Sequence, residues 1–382
     1  MLRLTLCVVT GLSPSACSRD STQPEKPTGQ PRVERVWRAA MPSGADREIT
    51  SDAASTSSTY LFVASNRGLT AVNRADGSVR WSVSGPFSSA RNVLTSAGAG
   101  VVSTDASVEA FDLESGRLRW SVPTASSTSN CVSSATSTLI VTCTSDWKIV
   151  AIDAVTGGVR WTRSLRDSLG GLPTIVGTVI SGDTVYAAVK QVYSQTNGFT
   201  VGLFFALSLS DGGILRVIRD GNYTDFTGYV GLPAVIGADL VIPHLILNKL
   251  TAINRFSGQV SWRVDGDPGW IGFVRVPTVV DGVLYAASAD RRVYAIDASS
   301  GVVRWKSDIL NGSQVLAAAC GSVVLTWTGA TIRILDRANG GYLGVIDDEM
   351  PDGTFELTSP MLVEGNSLFV RSQREVRQYH CR

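Results

Sequence analysis

Few residues in this chain have the types and the spacing that catalysis or metal binding requires. The two histidines, His244 and His380, have no cysteine or aspartate at the spacing of a metal motif. The acidic clusters at 265–267 and 347–349 offer oxygen ligands for Ca²⁺, but neither has the length or spacing of an EF-hand loop. No phosphate-binding loop or nucleophile elbow occurs in the sequence. We therefore predict no catalytic residue, no metal site and no cofactor.

The cysteines indicate structural bonds rather than reactivity. Cys131 and Cys143 flank a short turn, so we expect them to face each other on adjacent antiparallel strands. That arrangement favours a disulfide in an oxidising compartment. Cys320 and Cys381 form a second candidate pair, which would join two distant parts of the chain.

The amino terminus is typical of a bacterial secretory signal. Arg3 precedes an apolar stretch, Leu4–Leu12, which is about half the ~20 residues that a membrane-spanning helix needs. Small residues follow and end at Cys17, the predicted lipidation site of a lipoprotein signal. Pro14 stands where such signals usually have leucine, so plain cleavage and a misassigned start remain alternatives. Residues 1–16 are the predicted signal peptide.

The mature chain is predicted to have two parts. Residues 17–32 are rich in Ser, Thr, Pro and Gln without an apolar period, which predicts a flexible tether. Residues 33–382 form the folded body. Ser18 after the lipidated cysteine predicts sorting to the outer membrane, facing the periplasm, so the lipid would be the protein's contact with the membrane.

The charge balance argues against a nucleic-acid partner. Lys and Arg number 34 and Asp and Glu 33, giving a net charge of +1, whereas nucleic-acid-binding domains usually have a marked basic excess. Apolar residues make up 44% of the chain, enough for a large core.

One phrase recurs through the body: an apolar strand, a D/N-x-x-x-G turn and a second strand that ends in Trp. The copies are AVNRADGSVRW (71–81), AFDLESGRLRW (110–120), AIDAVTGGVRW (151–161), AINRFSGQVSW (252–262) and AIDASSGVVRW (295–305), with degenerate copies ALSLSDGGILRV (206–217) and ILDRANGGYLG (334–344). Their turn glycines lie 39 to 55 residues apart. A period near 40 with four strands per unit predicts an all-β propeller.

The chain ends predict eight four-stranded blades rather than seven. The carboxyl terminus has three strands without a fourth, and the amino-terminal segment VERVWRAA (33–40) has Trp37 in the repeat position. Together they would close one blade, which removes the open edges of the ring. A seven-bladed ring with a stray terminal hairpin is the alternative.

The repeated tryptophans are expected to be core residues that lie between neighbouring blades, where they bury large aromatic surfaces. They are Trp37, Trp81, Trp120, Trp161, Trp262 and Trp305.

These phrases, with a proline in several first strands (Pro173, Pro233, Pro277 and Pro360), resemble the pyrroloquinoline-quinone (PQQ) repeat family of β-propellers. The resemblance covers nearly all of residues 33–382. One branch contains PQQ-dependent dehydrogenases, which have an adjacent Cys-Cys pair that is missing here. The other branch contains non-catalytic lipoproteins of outer-membrane β-barrel assembly, which this chain is more similar to. The resemblance implies an envelope scaffold that binds other proteins; a PQQ-dependent oxidoreductase and a surface carbohydrate- or peptide-binding module are the alternatives.

A local match adds to this resemblance. The assembly lipoproteins contact their barrel partner through a Ser-Leu-Arg segment ahead of a first-strand proline, and Ser164-Leu165-Arg166 precedes Pro173 here. Leu165 and Arg166 are therefore predicted partner-binding residues. Asp167 follows this segment where the assembly lipoproteins have glycine. Those lipoproteins also have an acidic pair shortly before the next first-strand proline, and here Gly228 and Val230 stand at those positions, upstream of Pro233.

Aromatic residues concentrate in loops that the propeller topology places on one face. The partner-binding candidates among them are Trp147, Tyr193, Phe199, Tyr229 and Trp270, accompanied by Tyr223 and Phe226. Aromatic side chains and arginine are common anchors of protein interfaces. The alternative is that these aromatic side chains pack on neighbouring loops and only cover the blades.

Overall fold

The computed structural model describes residues 32–41, 54–57, 59–65, 68–85, 92–104, 106–124, 131–168, 172–192, 200–220, 231–244, 249–267, 273, 277–310, 316–327, 331–346, 361–371 and 375–382. The predicted signal peptide, Cys17 and nearly all of the tether lie outside the described residues, as do Tyr193, Phe199, Tyr223, Phe226, Tyr229, Trp270 and the acidic cluster at 347–349.

The described strands form eight antiparallel sheets of four strands each. The first strand of the chain is β1 (Val33–Ala40). Blade 1 contains β2 (Ala54–Thr56), β3 (Tyr60–Ser65), β4 (Gly68–Asn73) and β5 (Val79–Ser84); blade 2 contains β6 (Asn92–Ser96), β7 (Ala99–Ser103), β8 (Ser107–Asp112) and β9 (Leu118–Pro123). Blade 3 contains β10 (Ser134–Ala135), β11 (Leu139–Cys143), β12 (Lys148–Asp153) and β13 (Val159–Ser164); blade 4 contains β14 (Leu172–Ser181), β15 (Thr184–Val192), β16 (Thr200–Ser208) and β17 (Ile214–Arg219).

The second half of the ring repeats this order. Blade 5 contains β18 (Ala234–Ile236), β19 (Asp239–His244), β20 (Lys249–Asn254) and β21 (Val260–Asp265); blade 6 contains β22 (Thr278–Val280), β23 (Val283–Ala287), β24 (Val293–Asp297) and β25 (Val303–Lys306). Blade 7 contains β26 (Leu316–Cys320), β27 (Val323–Trp327), β28 (Ile332–Asp336) and β29 (Tyr342–Val345); blade 8 contains β30 (Leu362–Glu364), β31 (Ser367–Arg371), β32 (Glu375–Cys381) and β1.

The two ends of the chain meet in blade 8. Strand β1 pairs with β32 along a ladder that runs from Val33 opposite Cys381 to Ala40 opposite Glu375. This pairing confirms the eight-bladed closure, and the seven-bladed alternative is wrong. Arg32, the last residue of the predicted tether, is 2.8 Å from Asp336 in an ion pair.

Burial explains why the middle strands of the blades consist of consecutive apolar residues. The middle strands of a blade have a neighbouring blade on both sides, so β7 and β23 are buried at every position. The outermost strand is covered less, and in β13 the buried residue is the repeat tryptophan. The core is therefore a ring of apolar layers, one at each contact between blades.

The up-and-down course of the strands gives the disc two distinct faces. The link face carries the connections between blades and the turns between second and third strands. The turn face carries the D/N-x-x-x-G turns and the turns between first and second strands. The one helical element in the described residues is a 3₁₀ turn on the link face, Arg166–Ser168. Among the described residues there is no helix long and apolar enough to span a membrane.

Candidate functional site

Six of the eight contacts between blades are built in the same way. The tryptophan of one blade's outer strand covers the turn glycine of the next blade, and a Cβ atom on that glycine would lie only 2.5–2.8 Å from the indole. The pairs are Trp37 on Gly77, Trp81 on Gly116, Trp120 on Gly157, Trp161 on Gly212, Trp262 on Gly301 and Trp305 on Gly340. These glycines also have positive φ angles, which residues with a Cβ rarely adopt. In five of the pairs the indole Nε1–H donates to a carbonyl of the same turn over 2.8–3.1 Å.

The turn aspartates hold these glycines in place. Asp153 Oδ1 accepts the backbone N–H of Val155 and of Thr156 over 3.0 and 2.8 Å, while its Oδ2 accepts from Arg160. Bonds to the Thr156 N–H and to Arg160 lower the pKa of Asp153 below its usual range. Asp112 and Asp297 have the same arrangement with Arg119 and Arg304. The acidic part of the repeat is therefore structural.

The link between blades 3 and 4 brings three of the predicted partner-binding residues together. We call Trp147, Leu165 and Arg166 the Arg166 cluster. Trp147 has a φ of 59°, and its indole N–H donates to the carbonyl of Pro173 over 3.1 Å. Its own carbonyl accepts the N–H of Leu165 over 2.9 Å. The loop and the link are thus joined through their backbones.

The position of Leu165 contradicts its predicted role as a partner-binding residue. Its side chain is fully buried in the core between blades 3 and 4, so it offers no surface to a partner. Leu310 has the same role after blade 6, because its N–H donates over 2.9 Å to the carbonyl of Arg291, which has a φ of 70°. A buried leucine thus occupies the first link position after two blades, and in the link after blade 3 it positions the residue that follows it.

Arg166 is the exposed member of the cluster. Its guanidinium lies 5.1 Å from the ring centroid of Trp147, over the ring face. Such stacking fixes the plane of the guanidinium while leaving its N–H donors open. Among the described residues no carboxylate pairs with Arg166, so the cluster presents an oriented positive charge that suits a carboxylate from another molecule.

The acidic segment at 265–267 does not form a cation site. Asp267 is paired with Lys306 at 2.9 Å and with Arg292 at 2.8 Å, and Lys306 leads the interactions that lower the pKa of Asp267. Its negative charge is therefore neutralised by the protein. In the described part of the chain, no group of three His, Cys, Asp or Glu side chains has metal-binding geometry.

The cysteines in the described residues form two disulfides. They join Cys131 to Cys143 within blade 3 and Cys320 to Cys381 between blades 7 and 8, with Cα atoms 5.9 and 5.6 Å apart. Neither disulfide joins adjacent cysteines. The described residues thus do not contain the adjacent Cys-Cys pair that the resemblance implies for PQQ-dependent dehydrogenases.

His244 has an acidic partner that its sequence context did not reveal. Its Nε2 lies 3.1 Å from a carboxylate oxygen of Asp220, and both side chains are 2% exposed. Burial, with the nearby charges of Lys249 and Arg263, lowers the pKa of His244 to about 4. The ring is therefore neutral at pH 7. Asp220 follows the outer strand of blade 4, and His244 belongs to blade 5, so they meet only when the two blades pack.

The fold and these residues define an eight-bladed β-propeller with an arginine–aromatic cluster on its link face. A profile of the family described as "Outer membrane protein assembly factor BamB" matches residues 28–213 and 222–379. The chain therefore belongs to the outer membrane protein assembly factor BamB family.

Two curated relatives match over different lengths. An outer membrane protein assembly factor BamB from Moranella endobia is 26% identical over 276 residues, which is 66% of this chain and 66% of that protein. A putative dehydrogenase XoxF from Paracoccus denitrificans is 32% identical over 104 residues, 25% of this chain and 17% of that protein. The chain thus spans somewhat less than two thirds of the first relative and a small part of the second.

Solved structures share the fold at low sequence identity. BamB from Moraxella catarrhalis has a TM-score of 0.67 at 15% identity, covering 91% of this chain and 99% of that one. The quinohemoprotein alcohol dehydrogenase ADHIIG from Pseudomonas putida HK5 has a TM-score of 0.62 at 12% identity, covering 92% and 76%. A computationally designed protein, Ika8, has a TM-score of 0.69 at 14% identity, covering 91% and 99%. At these identities the matches show the propeller fold alone.

Proposed function

We propose that this protein is a non-catalytic scaffold of the cell envelope that binds a partner of outer-membrane protein assembly through the Arg166 cluster. Membership of the BamB family supports the assembly role. The observation that supports the site is the exposed Arg166 guanidinium, stacked 5.1 Å from the ring centroid of Trp147.

The cluster suits recognition of an acidic surface. Leu165 anchors the link in the core, and Trp147 holds the guanidinium plane, so Arg166 loses little conformational freedom when it binds. An ordered arginine can form two parallel hydrogen bonds with a carboxylate of a partner. Tyr193, Phe199, Tyr229 and Trp270 are proposed to extend this surface along the link face.

Charge reversal tests the site without disturbing the core. We expect Arg166→Glu, expressed in the native host, to reduce crosslinked recovery of the β-barrel assembly subunit at least about tenfold, since the change replaces an attraction by a repulsion. Arg117→Glu is the matched control, because Arg117 is also an exposed arginine but lies on the turn face of blade 2. Equal recovery with both variants would refute the cluster as the partner site.

Membrane attachment through Cys17 is part of the proposal. One lipid-modified cysteine with two or more acyl chains would hold the disc at the membrane. We expect Cys17→Ala to move the protein from the membrane fraction to the soluble envelope fraction, and mass spectrometry of the wild-type amino terminus to show the lipid. An unmodified terminus in the wild-type protein would contradict this anchor.

The match to a putative dehydrogenase supports one alternative, a quinone-dependent oxidoreductase. It predicts that the purified protein binds PQQ in the presence of Ca²⁺ and gains the quinone absorbance. The scaffold proposal predicts no saturable binding. Stoichiometric uptake of PQQ would favour the alternative.

A further inference from the structure

The contact between blades 4 and 5, here called seam 4/5, departs from the pattern that six other seams share. In blade 3 the outer-strand partner of Ala151 is Trp161, and in blade 4 the equivalent partner of Ala206 is Arg216. The register thus places an arginine where the other seams have an indole. Arg216 is exposed, and none of the described carboxylates pairs with it.

The surface that an indole would cover is open at this seam. Gly258 is the turn glycine of blade 5 and has a φ of 77° like the others, but a Cβ atom built on it meets no atom within 4 Å. In the six tryptophan seams the corresponding distance is 2.5–2.8 Å. A notch for a planar apolar group therefore remains beside Arg216.

The arginine of the blade 5 turn has no carboxylate partner among the described residues. In blades 1 and 7, the residue after the first position of the turn is an arginine that pairs with a carboxylate of the preceding blade. Arg74 pairs with Glu364 at 3.0 Å, and Arg337 pairs with Asp281 at 2.6 Å. The equivalent arginine of blade 5 is Arg255, whose Nη1 instead donates to the neutral hydroxyls of Ser181 and Tyr186 over 3.1 and 3.2 Å.

The first position of the D/N-x-x-x-G turn is not acidic in either blade of this seam. Ser208 occupies the aspartate position of the repeat in blade 4, and Asn254 occupies it in blade 5. Arg216 and Arg255 therefore lie at this seam without a carboxylate partner among the described residues, and Asp211 of the blade 4 turn instead accepts the backbone N–H of Gly213 over 2.9 Å.

Exposed apolar side chains lie in the same strands and turns as these arginines, and the Arg255 guanidinium stacks 4.8 Å from the ring centroid of Phe256. Leu215 and Phe256 are 62% and 59% exposed, and Ile214 and Val260 are 40% and 43% exposed. Exposed apolar residues also occur beside the tryptophan seams, such as Leu118 and Val159 at 55% and 53% exposure. What distinguishes seam 4/5 is that they lie beside arginines without a carboxylate partner and an uncovered turn glycine, and aromatic residues with arginine are common in interaction sites.

We propose that seam 4/5 binds an extended segment of a partner protein that presents an aromatic ring to Gly258 and a carboxylate to Arg216 and Arg255. The charge complementarity determines the acidic group, and the six tryptophan–glycine pairs of this chain show which side chain fits the notch. The site lies at the rim near the turn face, whereas the Arg166 cluster lies on the link face. It is therefore independent of the proposed assembly partner.

The test uses the full chain, purified in detergent, and fluorescence anisotropy of a labelled peptide. The peptide is a ten-residue alternation of Thr and Val with one Trp and one Glu two residues apart, since such residues point to the same side of a strand. Two matched peptides replace Glu by Gln or Trp by Ala. We expect each matched peptide to bind at least about tenfold more weakly, a loss of about 1.4 kcal/mol.

Protein variants assign the binding to the seam. Arg216→Glu should weaken the Trp/Glu peptide at least about tenfold, and Arg117→Glu should leave it unchanged. Arg216→Trp should restore the repeat, abolish peptide binding and raise the thermal midpoint, because the new indole fills the notch. Equal or absent binding of the three peptides would overturn the proposal, and so would unaltered binding to Arg216→Trp.

Discussion

The two contacts of blade 4 with its neighbours have apolar cores but differ in the side chains that close their outer edges. On the blade 3 side, Trp161 and Leu165 pack against the turn and core of blade 4. On the blade 5 side, the equivalent positions are Arg216 and Asp220, and Asp220 faces His244 where the first seam has the buried Val189. The backbone connection is conserved, since the N–H groups of Leu165 and Asp220 each donate over 2.9 Å to the equivalent carbonyl.

This difference shows that the order and position of the blades do not depend on the side chains that close the outer edge of each seam. The ladders and turn glycines position the blades. The side chains at one outer-strand position and at the first position after that strand determine how firmly the outer edge of each seam is closed. Seam 4/5 keeps an apolar core, and only its outer edge is polar. Each blade is held on two sides, so the ring tolerates one seam with a polar edge, and that edge is available for recognition.

The largest effect is expected from removing an indole. Trp161→Ala should lower the free energy of unfolding by about 3–5 kcal/mol, because it leaves a cavity between blades 3 and 4. Arg216→Ala, at the equivalent position, should change it by less than about 0.5 kcal/mol. Urea denaturation of both variants measures the contrast, and equal losses would show that the two seams do not differ.

The buried pair of seam 4/5 should be sensitive to the loss of one partner. Asp220→Leu alone should cost about 1–3 kcal/mol, because it leaves the neutral, buried imidazole of His244 without its polar partner. Adding His244→Val recreates the apolar pair of Leu165 and Val189, and this second change should recover most of the loss. A double variant as unstable as the single one would contradict the equivalence of the two seams.

The other seam without a tryptophan is predicted to depend on its disulfide. Gly344 occupies the indole position in blade 7, and Cys320 is joined to Cys381 across 61 residues of sequence. Replacing both cysteines with alanine should cost about 2–4 kcal/mol. The disulfide between Cys131 and Cys143 closes a loop of only 12 residues. Replacing these two cysteines with alanine should therefore cost about 1 kcal/mol less. The reverse order in denaturation would refute this assignment.

The smallest effect is a dependence of stability on pH. His244 has a pKa of about 4 when folded and about 6.5 when unfolded. The unfolded chain therefore binds a proton first, and stability falls as the pH drops from about 6.5 to about 4. We expect a loss of about 2 kcal/mol between pH 8 and pH 5, which the Asp220→Leu/His244→Val variant lacks. An identical pH profile for that variant would contradict the role of His244.

The sequence pattern predicted most of the fold because the repeat is local. The turn glycines, the outer tryptophans and the joining of the two chain ends follow from spacing alone. Leu165 was assigned to the wrong environment, because whether a link residue points inward depends on its register with the loop of Trp147. That register is visible only in the hydrogen bond between their backbones.

The features of seam 4/5 were not predicted for two physical reasons. The phrase ILRV ends in an apolar residue, which hid the fact that Arg216, ten residues after Ala206, occupies the tryptophan position. Asp220 and His244 lie on different blades, so no local spacing relates them. Counting ten residues from the third-strand alanine of each repeat would have placed Arg216 at the tryptophan position. The pairing of Asp220 with His244 is visible only when the two blades are packed together.

Hydrogen–deuterium exchange is the most direct test of the difference between the two seams. The amides of the outer strands at 159–164 and 214–219 are compared in the free protein by mass spectrometry. We expect faster exchange at 214–219, because that strand borders the uncovered edge of seam 4/5, and slower exchange there once the Trp/Glu peptide is bound. Equal exchange in both strands, with no change on adding the peptide, would contradict it.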